Sequence, residues 1–221
     1  SHHNVAVDVA TGYFLYHTDS PLRRKGRMSD HQRARRAQLE STFGKPSPKA
    51  VEIGVRELLE GITRDTDALT VRSDDHRAYP RAIRGLGRPM DHRITSSKQR
   101  RDQQNPLWEV NLLDLMIRHS TAAHKRETIA WAKRRQASIE KLAIFQVWRN
   151  YMKRRREKGT TVTSAMLMGL AERPWRVGDV LRARVFYHTV TLSPRWDTYY
   201  RRTVKTAALS VNRAHILTYA F

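Results

Sequence analysis

Hydrophobic and polar positions change their period several times along the chain, and each change marks a predicted element. Residues 5–17 place β-branched and aromatic residues on both sides of a turn signal at Ala10-Thr11-Gly12, which predicts two strands or one long bent strand. Residues 20–28 are a basic loop containing Gly and Pro. Residues 29–43 read as a helix, with Ser29 or Asp30 as N-cap and Gly44 as its stop. Pro46 and Pro48 punctuate the chain. In the next helix, residues 50–61, Val51, Val55, Leu58, Leu59 and Ile62 form one continuous stripe.

Residues 69–71 predict a short strand with Asp74 and Asp75 at its C-terminal tip. A short helix follows over 80–86, stopped by Gly85, Gly87 and Pro89. Residues 90–104 are polar and basic, a loop or a lone strand. The longest helical region runs over 106–158, with Asn105 as cap, Pro106 in the first position and a break near Lys125. Leu112, Leu115, Met116 and His119 form one face before the break. Ile139, Leu142, Ala143, Gln146 and Val147 form another after it. The tail from Gly159 holds a small helix over 164–171, a turn at Arg173-Pro174 and aromatic-rich segments. Strand pair, helices, strand with acids, then long helices predict an α/β domain with helices packed on a sheet.

Composition sharpens this picture. The 221 residues carry 42 Lys plus Arg against 21 acids, a formal net charge of +21. Such a surplus repels itself unless a polyanion neutralises it, and nucleic acid is the expected partner, ahead of a membrane surface. There is no Cys, which excludes disulfides and thiolate zinc sites. No apolar run approaches the roughly 20 residues needed to span a bilayer, so no membrane is expected. No signal peptide is visible, and the expected location is cytoplasmic, at the nucleoid.

Against this positive field, the acids Asp8, Asp74, Asp75, Glu109 and Asp114 are conspicuous. Phosphoryl transfer with two divalent ions needs carboxylates converging on ions about 3.5–4 Å apart, and strand tips plus one helix make a rigid scaffold for them. Each acid also has a plainer reading. Asp8 suits a turn beside Thr11 and Gly12, and Asp74 or Asp75 suits an N-cap for the helix beginning near His76. Glu109 suits the helix dipole, and Asp114 a solvated face. Arg118, Arg126, Lys133, Arg134 and Arg135 form the candidate nucleic-acid contacts, the alternative being a solvated cationic face. Trp108, Trp131 and Trp148 are expected in packing rather than base stacking. His119 and His124 do not share a helical face well enough to ligate a metal, whereas His76 is placed to assist one.

Residues 71–152 resemble the C-terminal part of the catalytic domain of DDE transposases of the insertion-sequence-one-like family. Ser73-Asp74-Asp75-His-Arg-Ala-Tyr79-Pro80 is similar to the family's strand-tip Asp followed by an aromatic. Asn111-Leu-Leu-Asp114-Leu-Met-Ile-Arg118, seven residues, then Arg126-Glu-Thr128-Ile-Ala-Trp-Ala-Lys133 matches its last helix in spacing. Trp148-Arg-Asn-Tyr151 is similar to its closing element, and Val7-Asp8-Val-Ala-Thr-Gly-Tyr13 looks like its second strand. The resemblance implies a ribonuclease-H-like mixed sheet over 1–158, with a basic and aromatic extension over 159–221. It also implies Mg²⁺ or Mn²⁺, cleavage and transfer of DNA strands at mobile-element ends, and a homodimer or higher oligomer on DNA.

Asp74 is then the firmest metal ligand, Asp114 or Glu109 closes the site from the helix, and Asp8 is the third acid. Two departures stand out. Asn111 occupies the family's catalytic Glu position and Asp114 its Asn position. The family's first Asp lies on a strand before the one carrying Asp8, so either Asp8 substitutes or that strand lies upstream of Ser1. A non-catalytic nucleic-acid-binding protein derived from a transposase is the rival expectation. A basic ribosome-associated protein is a third.

Overall fold

In the computed structural model, residues 2–64, 66, 69–125, 132, 134–159, 161–183 and 187–205 are described. The chain begins with an antiparallel hairpin, β1 (His2–Val7) and β2 (Phe14–Ser20), closed by the turn over residues 8–13. The Asp8 carboxylate accepts hydrogen bonds from the Thr11 N–H at 2.7 Å and the Thr11 hydroxyl at 2.6 Å, while Gly12 adopts a φ of 62°. That is the chemistry the turn signal predicted.

The register pairs Ala6 with Tyr16 and Val7 with Phe14, leaving Leu15 as an extra residue. This bulge switches the side-chain phase of β2. Phe14 and His17, three residues apart, therefore face the same side, with ring centroids 5.8 Å apart. Thr18 and Ser20 face the other side and bond to the carbonyls of Gly54 and Ala50 in α2 (Ala50–Ile62).

The two faces of the hairpin are covered by different helices. On one side Phe14 packs with Leu113 and Ile117 of α4 (Trp108–Ser120) and with Leu142 and Phe145 of α5 (Arg135–Val147). On the other lies α2, whose remaining surface (Val55, Leu59) packs on Ala82 and Ile83 of α3 (Ala78–Arg84). The α2 stripe predicted from its period is thus a two-sided core element. Within α4 the buried positions are Leu113 and Ile117; of the predicted Leu112, Leu115, Met116 and His119 face, Met116 packs half-buried against this core, while Leu115 is 58% exposed and His119 is exposed. Five apolar residues crowd positions 112–117, and the hairpin selects which of them turn inward.

A second sheet holds β3 (Thr70–Asp74) and β4 (Asp91–Thr95), parallel and joined through α3. The polar sequence of β4 gives no alternation, and its strand state comes from pairing with β3. The described strands therefore form two two-stranded sheets in a mixed α/β molecule. Among the described residues, the predicted 106–158 region holds α4, a turn of 3₁₀ helix at Ala122–His124, α5 and a π-helical turn at Trp148–Met152, and residues 153–158 are not helical.

α1 (Asp30–Phe43) is capped as predicted. Ser29 and Gln32 exchange side-chain and backbone hydrogen bonds at the start, and Gly44 ends it with a φ of 79°. No residue of α1 is buried.

Beyond residue 159, α6 (Ser164–Leu167) packs against the π turn, and α7 (Val177–Arg182) lies at the surface. α8 (Pro194–Tyr200) docks on the hairpin through a buried ion network. Asp19, fully buried, faces Arg135, Arg195 and the Tyr199 hydroxyl, which donates to it at 2.6 Å. Tyr199 and Val204 also join Ile139 in a third apolar cluster, so the tail shares the core of the preceding chain.

Candidate nucleic-acid interface

The acids singled out in the sequence divide into two groups at opposite ends of β1. At the His2 end, Asp74 terminates β3 and its carboxylate accepts the His76 N–H at 3.0 Å. Neither Asp74 nor Asp75 caps α3, whose N-cap is Arg77. Asp75 instead accepts the Ser97 N–H at 3.3 Å, and hydrogen bonding to Ser97 holds its carboxyl below the usual range. Asp114 is exposed on the middle of α4.

Asp74 and Asp114 act on the same two side chains. Burial pushes the Tyr79 phenol up to about 12, and both carboxylates add to the shift. Burial lowers the His2 imidazole below its usual value, and the same two acids oppose that. The β3 tip and the middle of α4 therefore lie in one neighbourhood with His2 and Tyr79, and the His76 ring stands edge-on to Tyr79 at 5.7 Å.

Asp8 and Glu109 lie at the other end, separated from His2 by five residue steps of strand, roughly 17 Å. Asp8 is held in its turn by Thr11. Glu109 is ion-paired with Arg155 at 2.9 Å, close against Gly12. Among the described residues no three His, Asp or Glu side chains are placed to hold a metal ion. Two acids in one neighbourhood and two committed elsewhere do not fit a two-metal site.

The predicted basic contacts also diverge. Arg118 folds back along α4, its Nε donating to the Asp114 carbonyl at 3.1 Å. Arg134 is exposed at the start of α5. Arg135 is turned inward to Asp19, so it anchors the fold. Arg126 and Lys133 lie outside the described residues.

A stronger cationic feature sits elsewhere. The loop over residues 21–29 and α1 carry Arg23, Arg24, Lys25, Arg27, Arg33, Arg35 and Arg36 on a helix with no buried face. Only two acids, Asp30 and Glu40, lie among them, paired with Arg33 and with Arg23 and Arg36. Arg33 also donates to the Met28 carbonyl at 2.6 Å, fastening the loop to the helix. Between them is an open concavity of about 670 Å³, lined by Gly26, Arg27, Met28, Ser29 and Arg33. The signal in the sequence was a helix polar on every side, which has no reason to pack on its own molecule.

No helix among the described residues is long and apolar enough to cross a membrane. Comparison with protein-family models, with curated proteins and with solved structures returned no match.

Proposed function

We propose that this protein binds nucleic acid, DNA in the first instance, through phosphate contacts from the α1 arm and the loop before it. One observation carries the reading: seven cations are displayed on a well-capped helix and loop that bury nothing. Cations kept in water on a preformed helix release counterions when they meet phosphates, so affinity is gained without desolvating the core. The guanidiniums of Arg33, Arg35 and Arg36 suit phosphate oxygens, and their register along a helix sets orientation rather than base sequence.

The test is fluorescence anisotropy with a short duplex between 50 and 200 mM NaCl. Log affinity should fall linearly with log salt. The R33Q/R35Q/R36Q variant should flatten the slope by about 1 for each phosphate contact removed. Equal affinity and slope in the variant would move the interface away from α1. Clear preference for structured RNA in direct competition would change the partner.

A second reading, the DNA transposase, has one observation in its favour: Asp74 and Asp114 share His2 and Tyr79 as electrostatic neighbours. On that reading the molecule is a ribonuclease-H-like catalytic domain taking Mg²⁺ or Mn²⁺ and acting as an oligomer on DNA ends. With Asp8 and Glu109 engaged at the far end of β1, the residues present do not complete the carboxylate set. Metal-dependent nicking lost in D74A, with DNA affinity retained, would reinstate the enzyme. Absence of heat on titration with millimolar Mn²⁺ would leave the binding reading alone.

A further inference from the structure

At the turn end of the hairpin, the π turn brings a guanidinium into the interior. Arg149 is 4% exposed, and among the described residues its side chain bonds only to the Ser164 hydroxyl, 3.1 Å from Nη1. Its Nε is buried without an acceptor. Beside it stands Arg155, a quarter exposed along its side chain, with Nη2 donating to Glu109 at 2.9 Å and Nη1 buried without an acceptor. Gly12 makes room for this pair: a Cβ there would lie 2.3 Å from Arg155 Nη1 and 2.7 Å from Glu109 Oε2.

Glu109 is bonded to Arg155 and reaches Arg149 only through its charge. Burial lowers the Arg149 pKa, and the neighbouring Arg155 charge lowers it further against the pull of Glu109. Buried cations are ordinarily paired, and buried donors ordinarily find acceptors. Here one positive charge and two N–H-bearing nitrogens are left over. Phosphate-type oxyanions answer such a deficit, because they offer negative charge and several acceptors to planar guanidinium donors.

We propose that Arg149 and Arg155 form a binding site for one phosphate-sized oxyanion beside the Gly12 turn, entered from the Arg155 side. The inference stands apart from the α1 reading, since these residues lie on the π turn and the segment after it. The anion is either free phosphate or the terminal phosphate of a polynucleotide, which presents the same group.

The experiment follows the Arg149 Nε–H resonance of the ¹⁵N-labelled full chain during titration with sodium phosphate. Sodium chloride at matched ionic strength is the control for nonspecific binding to the cationic surface. A saturable shift of that one resonance is expected. R155Q should weaken it about tenfold, and E109Q should tighten it several-fold by removing the competing carboxylate. R33Q/R35Q/R36Q should leave it unchanged, which separates this site from the α1 interface. A resonance unmoved by phosphate but moved by a 5′-phosphorylated oligonucleotide, and not by its dephosphorylated form, assigns the terminal group. Failure of both phosphate and the 5′-phosphorylated oligonucleotide to shift it beyond the chloride control overturns the site, as does an equal shift by the dephosphorylated form or weaker binding in E109Q.

Discussion

Gly54 shows how a single position carries information that a hydrophobic pattern does not hold. It lies inside the α2 stripe, where glycine costs helix stability, and its reason is across the interface. A Cβ at this position would come within 2.6 Å of both Asn4 Nδ2 and Ser20 Oγ. Those side chains are fastened to each other and to the Ala50 carbonyl, so they have little room to yield. G54A should therefore destabilise the protein by about 1–3 kcal/mol despite its better helix propensity, read as a lower urea midpoint. A higher midpoint would mean that the hairpin gives way.

Asp19 is the second such residue. Burial opposes its charge, yet the bonds from Arg135 and Tyr199 outweigh that and hold the carboxyl below its usual pKa. Its contribution is complete above the unfolded carboxyl value near ~3.9 and fades as the pH falls toward the folded one. D19N removes the charge facing Arg135 and Arg195 and should cost about 3–5 kcal/mol at neutral pH. A loss under 1 kcal/mol would show that the arginines reach solvent without it.

At the scale of elements, the seam between the hairpin and α5 is built from neutral imidazoles. His3 Nε2 lies 2.7 Å from the Ser138 hydroxyl, which also meets His124 Nε2 at 3.2 Å, while His17 Nδ1 lies 3.0 Å from the Gln146 Oε1. Burial pushes His3 down to about 3 and His17 down to about 4. The unfolded chain binds these protons near ~6.5, so stability is full above that value and falls as the pH drops toward 4. Each such histidine contributes a slope of about 1.4 kcal/mol per pH unit in that window. Urea unfolding at pH 7, 6 and 5 should show stability falling as the pH falls, with a shallower slope in H17Q. A flat profile between pH 7 and 5 would mean the imidazoles are open to water.

α1 follows opposite rules. Loss of its cap in S29A should cost about 1 kcal/mol of local helix, seen as faster amide exchange over residues 30–36. The global thermal midpoint should stay where it was, because nothing in α1 is buried. A drop in both would tie the arm to the core.

For the whole molecule, the net charge of +21 acts as a distributed stress that no single contact relieves. The screening length shrinks from about 30 Å at 0.01 M salt to about 3 Å at 1 M. The thermal midpoint should accordingly rise with NaCl, and further with a short DNA duplex at low salt. A midpoint falling with NaCl would show that the ion pairs outweigh the repulsion. Local order determined much by itself. The hairpin, the Ser29 cap, the Gly44 stop and the α2 stripe depend on neighbours within a few residues, and one chain suffices to read them. The polyanion-seeking charge is likewise a property of composition. Tertiary structure alone decided that Leu113 and Ile117 are buried while Leu115 is exposed, that polar residues 91–95 form a strand, and that Arg135 points inward to Asp19. It also parted Asp74 and Asp114 from Asp8 and Glu109. Spacing along a helix or strand sets which face a side chain occupies, but which faces meet is set by the packing of elements far apart in the chain.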